Sequence, residues 1–282
     1  MVKIIFVVCL IIFMINKANG GEFFHRFHKT YNIKSTYTNN RTISVGLVLI
    51  NITKYREILP SDLVYNQVLS YSKQESFGDE HGRSTNVHET VHGINNELRN
   101  YYKISLKKNV NAFYAGEGMG VIVENPNITM KHIIPYIPKA LMGYRYNLYF
   151  VQQINDWNSV PTYPIDEWSA YIAGAECAVD DAMNGIATEK SDCVSGSLEF
   201  SIYCTALALA VKNNDPDYWR DNKQFKNILQ YFLIKSEKVF FEGQDIFPSE
   251  KQEKLFKNLR YHDDAKELRD FLVSEFQGVF ID

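Results

Sequence analysis

The chain's apolar and polar positions sort into one strand, one hairpin and a series of helices. Residues 43–52 (ISVGLVLINI) read as an apolar, β-branched strand bounded by polar residues. A helix is expected over 61–70, followed by a polar loop through 72–83 that contains Gly78 and Gly82. Val87, Val91, Ile94 and Leu98 then recur at i, i+4, i+7 and i+11, the apolar stripe of an amphipathic helix. Ser84, Thr85 and Asn86 offer capping side chains, and Asn86 stands three before Glu89 in capping-box spacing, so the helix is expected to start there. Residues 111–125 predict a hairpin turning at Glu117–Gly118–Met119–Gly120. Residues 144–153 fit strand or helix, with helical packing preferred, and 157–164 form a loop with two prolines. A second strong helix is expected over 166–182, made thin on one side by Ala170, Ala173, Gly174, Ala175 and Ala178. Further helices are expected over 197–212, 225–239 and 250–276, the first being apolar but too short to span a bilayer. The pattern implies an α+β fold in which a small β-sheet or hairpins pack on a mostly helical domain, with the 84–98 helix central.

Composition adds little to this picture. With 45% hydrophobic and 22% charged residues, the 282-residue chain is ordinary globular material. A net charge of −3 argues against nucleic acid or an anionic membrane surface as partner. The N-terminus does change the reading. Lys3, an apolar run over 4–15 and small residues at Ala18 and Gly20 have the form of a cleavable signal peptide. The organisation expected is therefore a signal peptide at 1–20 and a single domain over 21–282, helical from about 197, without stable membrane insertion after cleavage. Loss of Lys3 and Lys17 leaves 28 basic against 33 acidic residues, a charge of about −5. Export permits disulfides, but the three remaining cysteines, Cys177, Cys193 and Cys204, allow at most one internal bridge. Cys177–Cys193 and Cys193–Cys204 are the nearest pairings, and plain buried thiols are an equal alternative. Asn40, Asn51 and Asn127 begin glycosylation triplets. His25 and His28, in an aromatic and basic segment over 21–40, carry no assigned role.

The chemistry concentrates in residues 88–92, His-Glu-Thr-Val-His. Histidines four apart on a helix share a face, so His88 and His92 can reach one metal ion while Glu89 stands beside it at a bound water. Zinc hydrolases need three protein ligands and an open position. Glu167, 75 residues beyond His92 at the start of the thin helix, is the leading third ligand, with Asp166 and Glu176 as alternatives. Water activation would place Glu89 as general base. An oxyanion donor is also needed; Tyr171, one turn after Glu167, is named first, then Tyr163 and Arg145. The 111–125 hairpin could offer an edge strand to an extended peptide.

The motif, followed by a glutamate on a later helix, resembles the gluzincin group of zinc metallopeptidases. That resemblance implies a zincin-like fold, Zn²⁺ held by His88, His92 and Glu167, Glu89 as general base, and a peptide or protein substrate, with endopeptidase preferred to exopeptidase. Many gluzincins carry an aspartate four residues after the ligand glutamate, where this chain has Tyr171. The pattern HExxHxxGxxH is excluded, because Asn95 and Leu98 occupy its later positions. A second reading from a different class is a non-catalytic exported binding protein on a degenerate zincin-like scaffold.

Overall fold

The computed structural model describes residues 46–57, 59, 63–73, 82–186 and 191–281, which belong to one compact unit. The expected signal peptide, the segment with His25 and His28, and residues 43–45 of the expected first strand lie outside the described residues.

The architecture is mostly helical with a small antiparallel sheet. The strands are β1 (Ile50–Asn51), β2 (Val110–Gly116) and β3 (Met119–Glu124), in the order β1-β3-β2. Among the described residues of the apolar 43–52 run, two pair with β3; residues 47–49 are irregular, and Gly46 takes a left-handed φ of 63°. The β2–β3 hairpin turns tightly through Glu117 (φ 52°) and Gly118 (φ 71°). Two successive positive φ values match the right-handed twist of the flanking strands, and the second position falls to glycine.

The helices are α1 (Val64–Ser70), α2 (Arg83–Leu106), α3 (Ile154–Trp157), α4 (Tyr163–Met183), α5 (Cys193–Asn214), α6 (Pro216–Asp221), α7 (Lys223–Gly243), α8 (Glu250–Tyr261) and α9 (Lys266–Phe276). The expected stripe is realised on α2: Val87, Val91 and Ile94 are buried, and Leu98 packs partly buried beside them. They meet Ala170 and Ala173 of α4, the thin face anticipated for that helix. Gly174 is essential to the fit, since an added Cβ would lie 2.8 Å from Cys193 Sγ and 3.0 Å from the Ser84 carbonyl oxygen. α5 is long and apolar enough to cross a membrane, but nearly all of it is buried as the core around which α4, α7 and α9 assemble.

Two expectations are corrected. α2 starts at Arg83, one turn before the predicted cap. Asn86 is therefore inside the helix and buried, and its side-chain amide donates to Tyr65 Oη at 2.8 Å. The predicted 250–276 helix is two helices, because His262 leaves the helical conformation (ψ 136°) and its ring nitrogen accepts the Asp264 N–H. Residues 148–152 form a π-helical turn, so the ambiguous 144–153 stretch is helical but irregular. Cys177, Cys193 and Cys204 are buried free thiols; burial pushes the Cys193 thiol up to about 11.

Candidate metal centre

α2 and α4 pack along their small and branched faces, and the residues flanking that seam form the candidate centre. One turn apart on α2, His88 and His92 bring their Nε2 atoms to 3.1 Å. Glu167, just after the first turn of α4, places Oε2 3.8 Å from His88 Nε2 and 3.6 Å from His92 Nε2. A zinc ion bonded at about 2.0–2.1 Å to tetrahedral ligands requires them to stand about 3.3–3.4 Å apart. The observed triangle brackets that spacing, and the donor set of two imidazoles and one carboxylate suits zinc.

The surroundings fix each donor. His92 Nδ1 meets Asp166 Oδ1 at 2.7 Å, which leaves Nε2 to face the centre. Asp166 also accepts from Asn95 Nδ2 at 3.0 Å and from Arg99 at 3.2 Å. Fully buried Asn95 reaches further: its Nδ2 donates to Ser169 Oγ, and its Oδ1 accepts the Tyr114 N–H of β2 at 2.6 Å. One amide thus ties α2, α4 and the sheet together. Glu167 accepts from two tyrosines, Tyr149 Oη at 2.9 Å and Tyr163 Oη at 2.7 Å. Tyr149 comes from the π turn, and Tyr163 is held by stacking on Trp157, with ring centroids 4.1 Å apart. His88 is held differently. Its ring packs edge-on against Tyr171 at 4.4 Å, and its Nδ1 is buried without a hydrogen-bond partner.

Electrostatics follow from this arrangement. Burial pulls His92 down, but hydrogen bonds and charge from Asp166 and Glu167 outweigh it and raise the ring to about 10. His88 falls to about 3 through burial and the positive His92 beside it. Burial opposes ionisation of Glu167, yet its bond to His92 and the charges of both histidines hold the carboxyl below its usual range. The metal-free centre therefore keeps one cation, protonated His92, between two carboxylates. It is built to hold positive charge.

Other candidates find different places. Glu89 is exposed one residue after His88, with no ion pair among the described residues. Glu176 is taken by Lys235 at 2.9 Å and lies outside the centre. Asp166 serves as the partner of His92 rather than as a third donor to the ion. Tyr171 is half-buried against His88 and Phe200, and the Arg145 guanidinium lies over its ring at 4.5 Å. Burial raises the Tyr171 hydroxyl to about 12, with Arg145 opposing the rise. Arg145 itself is buried and anchored by Glu199 at 3.1 Å and by Asp192. The outer edge of the 111–125 hairpin is not free for an extended peptide. β2 is buried throughout, Asn95 takes its Tyr114 N–H, and Tyr231 and Lys235 take its Ala115 carbonyl.

Asp166, Tyr149, Tyr163 and Asn95 are contributors to the centre that sequence reasoning did not assign these roles; Tyr163, named as an oxyanion donor, gives its hydroxyl to Glu167 instead. A carboxylate directly before the ligand glutamate was the available signal for Asp166; nothing local marked Tyr149 or Asn95. No family model matches the chain, and no similar curated protein or solved structure is found.

Proposed function

We propose that this chain is an exported zinc-dependent peptidase, endopeptidase in preference to exopeptidase, with a gluzincin-like ligand set on a zincin-like scaffold. The observation that carries the reading is the triangle of His88 Nε2, His92 Nε2 and Glu167 Oε2, with sides of 3.1–3.8 Å. Structural zinc sites favour cysteines and a closed fourth position, whereas two histidines and a glutamate are a catalytic set. Zinc bound there would supply Lewis acidity, lowering the pKa of a coordinated water towards about 7.

The remaining work belongs to the chain. Glu89, exposed beside His88 and without an ion pair among the described residues, takes the water proton and passes it to the leaving amine. Asp166 holds His92 with Nε2 turned to the centre, and the Tyr149 and Tyr163 hydroxyls hold Glu167 ionised and fixed in orientation. Tyr171, polarised by Arg145, donates to the developing oxyanion. The covered edge of β2 directs a peptide to other groups than that strand.

The test is a peptide-library digest at neutral pH with parallel measurement of bound zinc. Glu89→Ala should keep zinc and lose hydrolysis, whereas His88→Ala should lose both. Hydrolysis by Glu89→Ala at the wild-type rate would overturn the assignment of the base, and zinc-free wild-type protein would overturn the enzyme reading.

A further inference from the structure

Beyond the α2–α4 seam, a cavity of about 600 Å³ opens between α5, α8 and the 3₁₀ turn Lys139–Leu141. That volume is in the range of small-molecule sites. Its wall carries Lys139, Lys251, Lys254 and His262, with Tyr144 and Leu255 supplying apolar surface. Lys251 and Lys254 are three apart on α8 and so face the same way. None of the three lysines has an ion pair among the described residues; Lys251 lies over the Tyr144 ring at 5.0 Å. His262 Nδ1 accepts the Asp264 N–H, which places its proton on Nε2 as a further donor.

Two acidic groups at the cavity, Glu199 and Asp264, are engaged. Glu199 lines the cavity but is buried, and it accepts from the Arg145 side chain, the Arg145 N–H and Tyr203 Oη. Asp264 Oδ2 accepts the Ala140 N–H at 2.9 Å. Three lysines therefore line one concavity whose own carboxylate, Glu199, is paired with the buried Arg145, so the wall carries an excess of basic groups. The cavity is distinct from the histidine centre, with Glu199, Arg145 and Tyr171 standing between the two.

We propose that this cavity binds a small polyanion through Lys139, Lys251 and Lys254, with its apolar part against Tyr144 and Leu255. The chemistry required is two or more carboxylate or phosphate groups on a compact skeleton. The assignment uses no metal and stands apart from the hydrolase reading.

Isothermal titration of the full chain with succinate and, separately, with inorganic pyrophosphate tests it. Saturable binding of one ion per chain is expected with at least one of the two, and the tighter probe identifies the preferred head group. Lys251→Ala/Lys254→Ala should weaken that binding by about tenfold or more, as expected when charged hydrogen-bond donors are removed. Lys103→Ala/Lys223→Ala, which removes the same charge from exposed positions outside the cavity, should leave it unchanged. Absence of saturable binding with both ions, or equal weakening in the two variants, would overturn the proposal.

Discussion

Replacing Asp166 by asparagine separates the two things this carboxylate does to His92. The side chain is 8% exposed and accepts from His92, Asn95 and Arg99, so the isosteric amide keeps the packing while removing the charge. Loss of a carboxylate partner behind a metal-bound histidine typically costs 10–100-fold in metal affinity, about 1.4–2.7 kcal/mol. An opposing effect arises from the proton. In the wild type, His92 is raised to about 10, so zinc must displace a proton at neutral pH. Wild-type affinity should climb about tenfold per pH unit from about pH 6 to about pH 9, because one proton is released on binding. With one of its two raising carboxylates gone, His92 in Asp166→Asn titrates lower, and the variant's affinity levels off earlier. The gap between the two proteins should therefore open as pH rises. A chromophoric chelator competing for zinc across that range reads both curves, with circular dichroism confirming the fold. Parallel curves of equal affinity in a folded variant would refute the idea that Asp166 orients His92.

Asn95→Ala leaves the buried Tyr114 N–H without its acceptor and should cost about 1–3 kcal/mol in urea unfolding, with hydrolysis falling as α2 and α4 loosen. Gly174→Ala should destabilise by about 1–3 kcal/mol, since the new methyl meets Cys193 Sγ and the Ser84 carbonyl, and Gly185→Ala is no control because its φ is +71°. Tyr171→Phe should keep zinc and lower kcat by about 10²-fold with KM little changed; an unchanged kcat would remove Tyr171 as oxyanion donor. The metal-free protein should be most stable near pH 6.5 as far as its two histidines decide it. His92, raised to about 10, contributes fully below its unfolded value of 6.5 and loses that contribution as pH rises through 10. His88, lowered to about 3, contributes fully above 6.5 and loses it as pH falls towards 3. Thermal melts in chelator across pH check this, and a monotonic curve would contradict it.

The histidine pair and its helix were legible in the sequence because both depend on local periodicity. Val87, Val91 and Ile94 bury one stripe, and His88 and His92 necessarily lie one turn apart beside it. The small residues of α4 announced a close neighbour for the same local reason. What the sequence could not convey were long-range pairings. Tyr149 reaches Glu167 from a π turn whose pattern fits neither strand nor helix cleanly. Asn95 looks like an ordinary polar position on α2, and only the packed fold makes it the joint between two helices and a strand. The break at His262 went unread because apolar spacing continues through it, with Leu255 and Leu259 before and Leu268 and Leu272 after. Asn86 has capping chemistry, but Tyr65 gives its amide a buried partner while the helix begins a turn earlier.

The account depends most on the three-donor centre, and its most direct test is the zinc content of purified wild-type protein beside Glu167→Ala by elemental analysis. The prediction is one zinc per wild-type chain and a substoichiometric, readily dialysed content in Glu167→Ala. An equal zinc content in the two proteins would contradict the assignment of Glu167, and a zinc-free wild type that cannot be reloaded would contradict the centre itself.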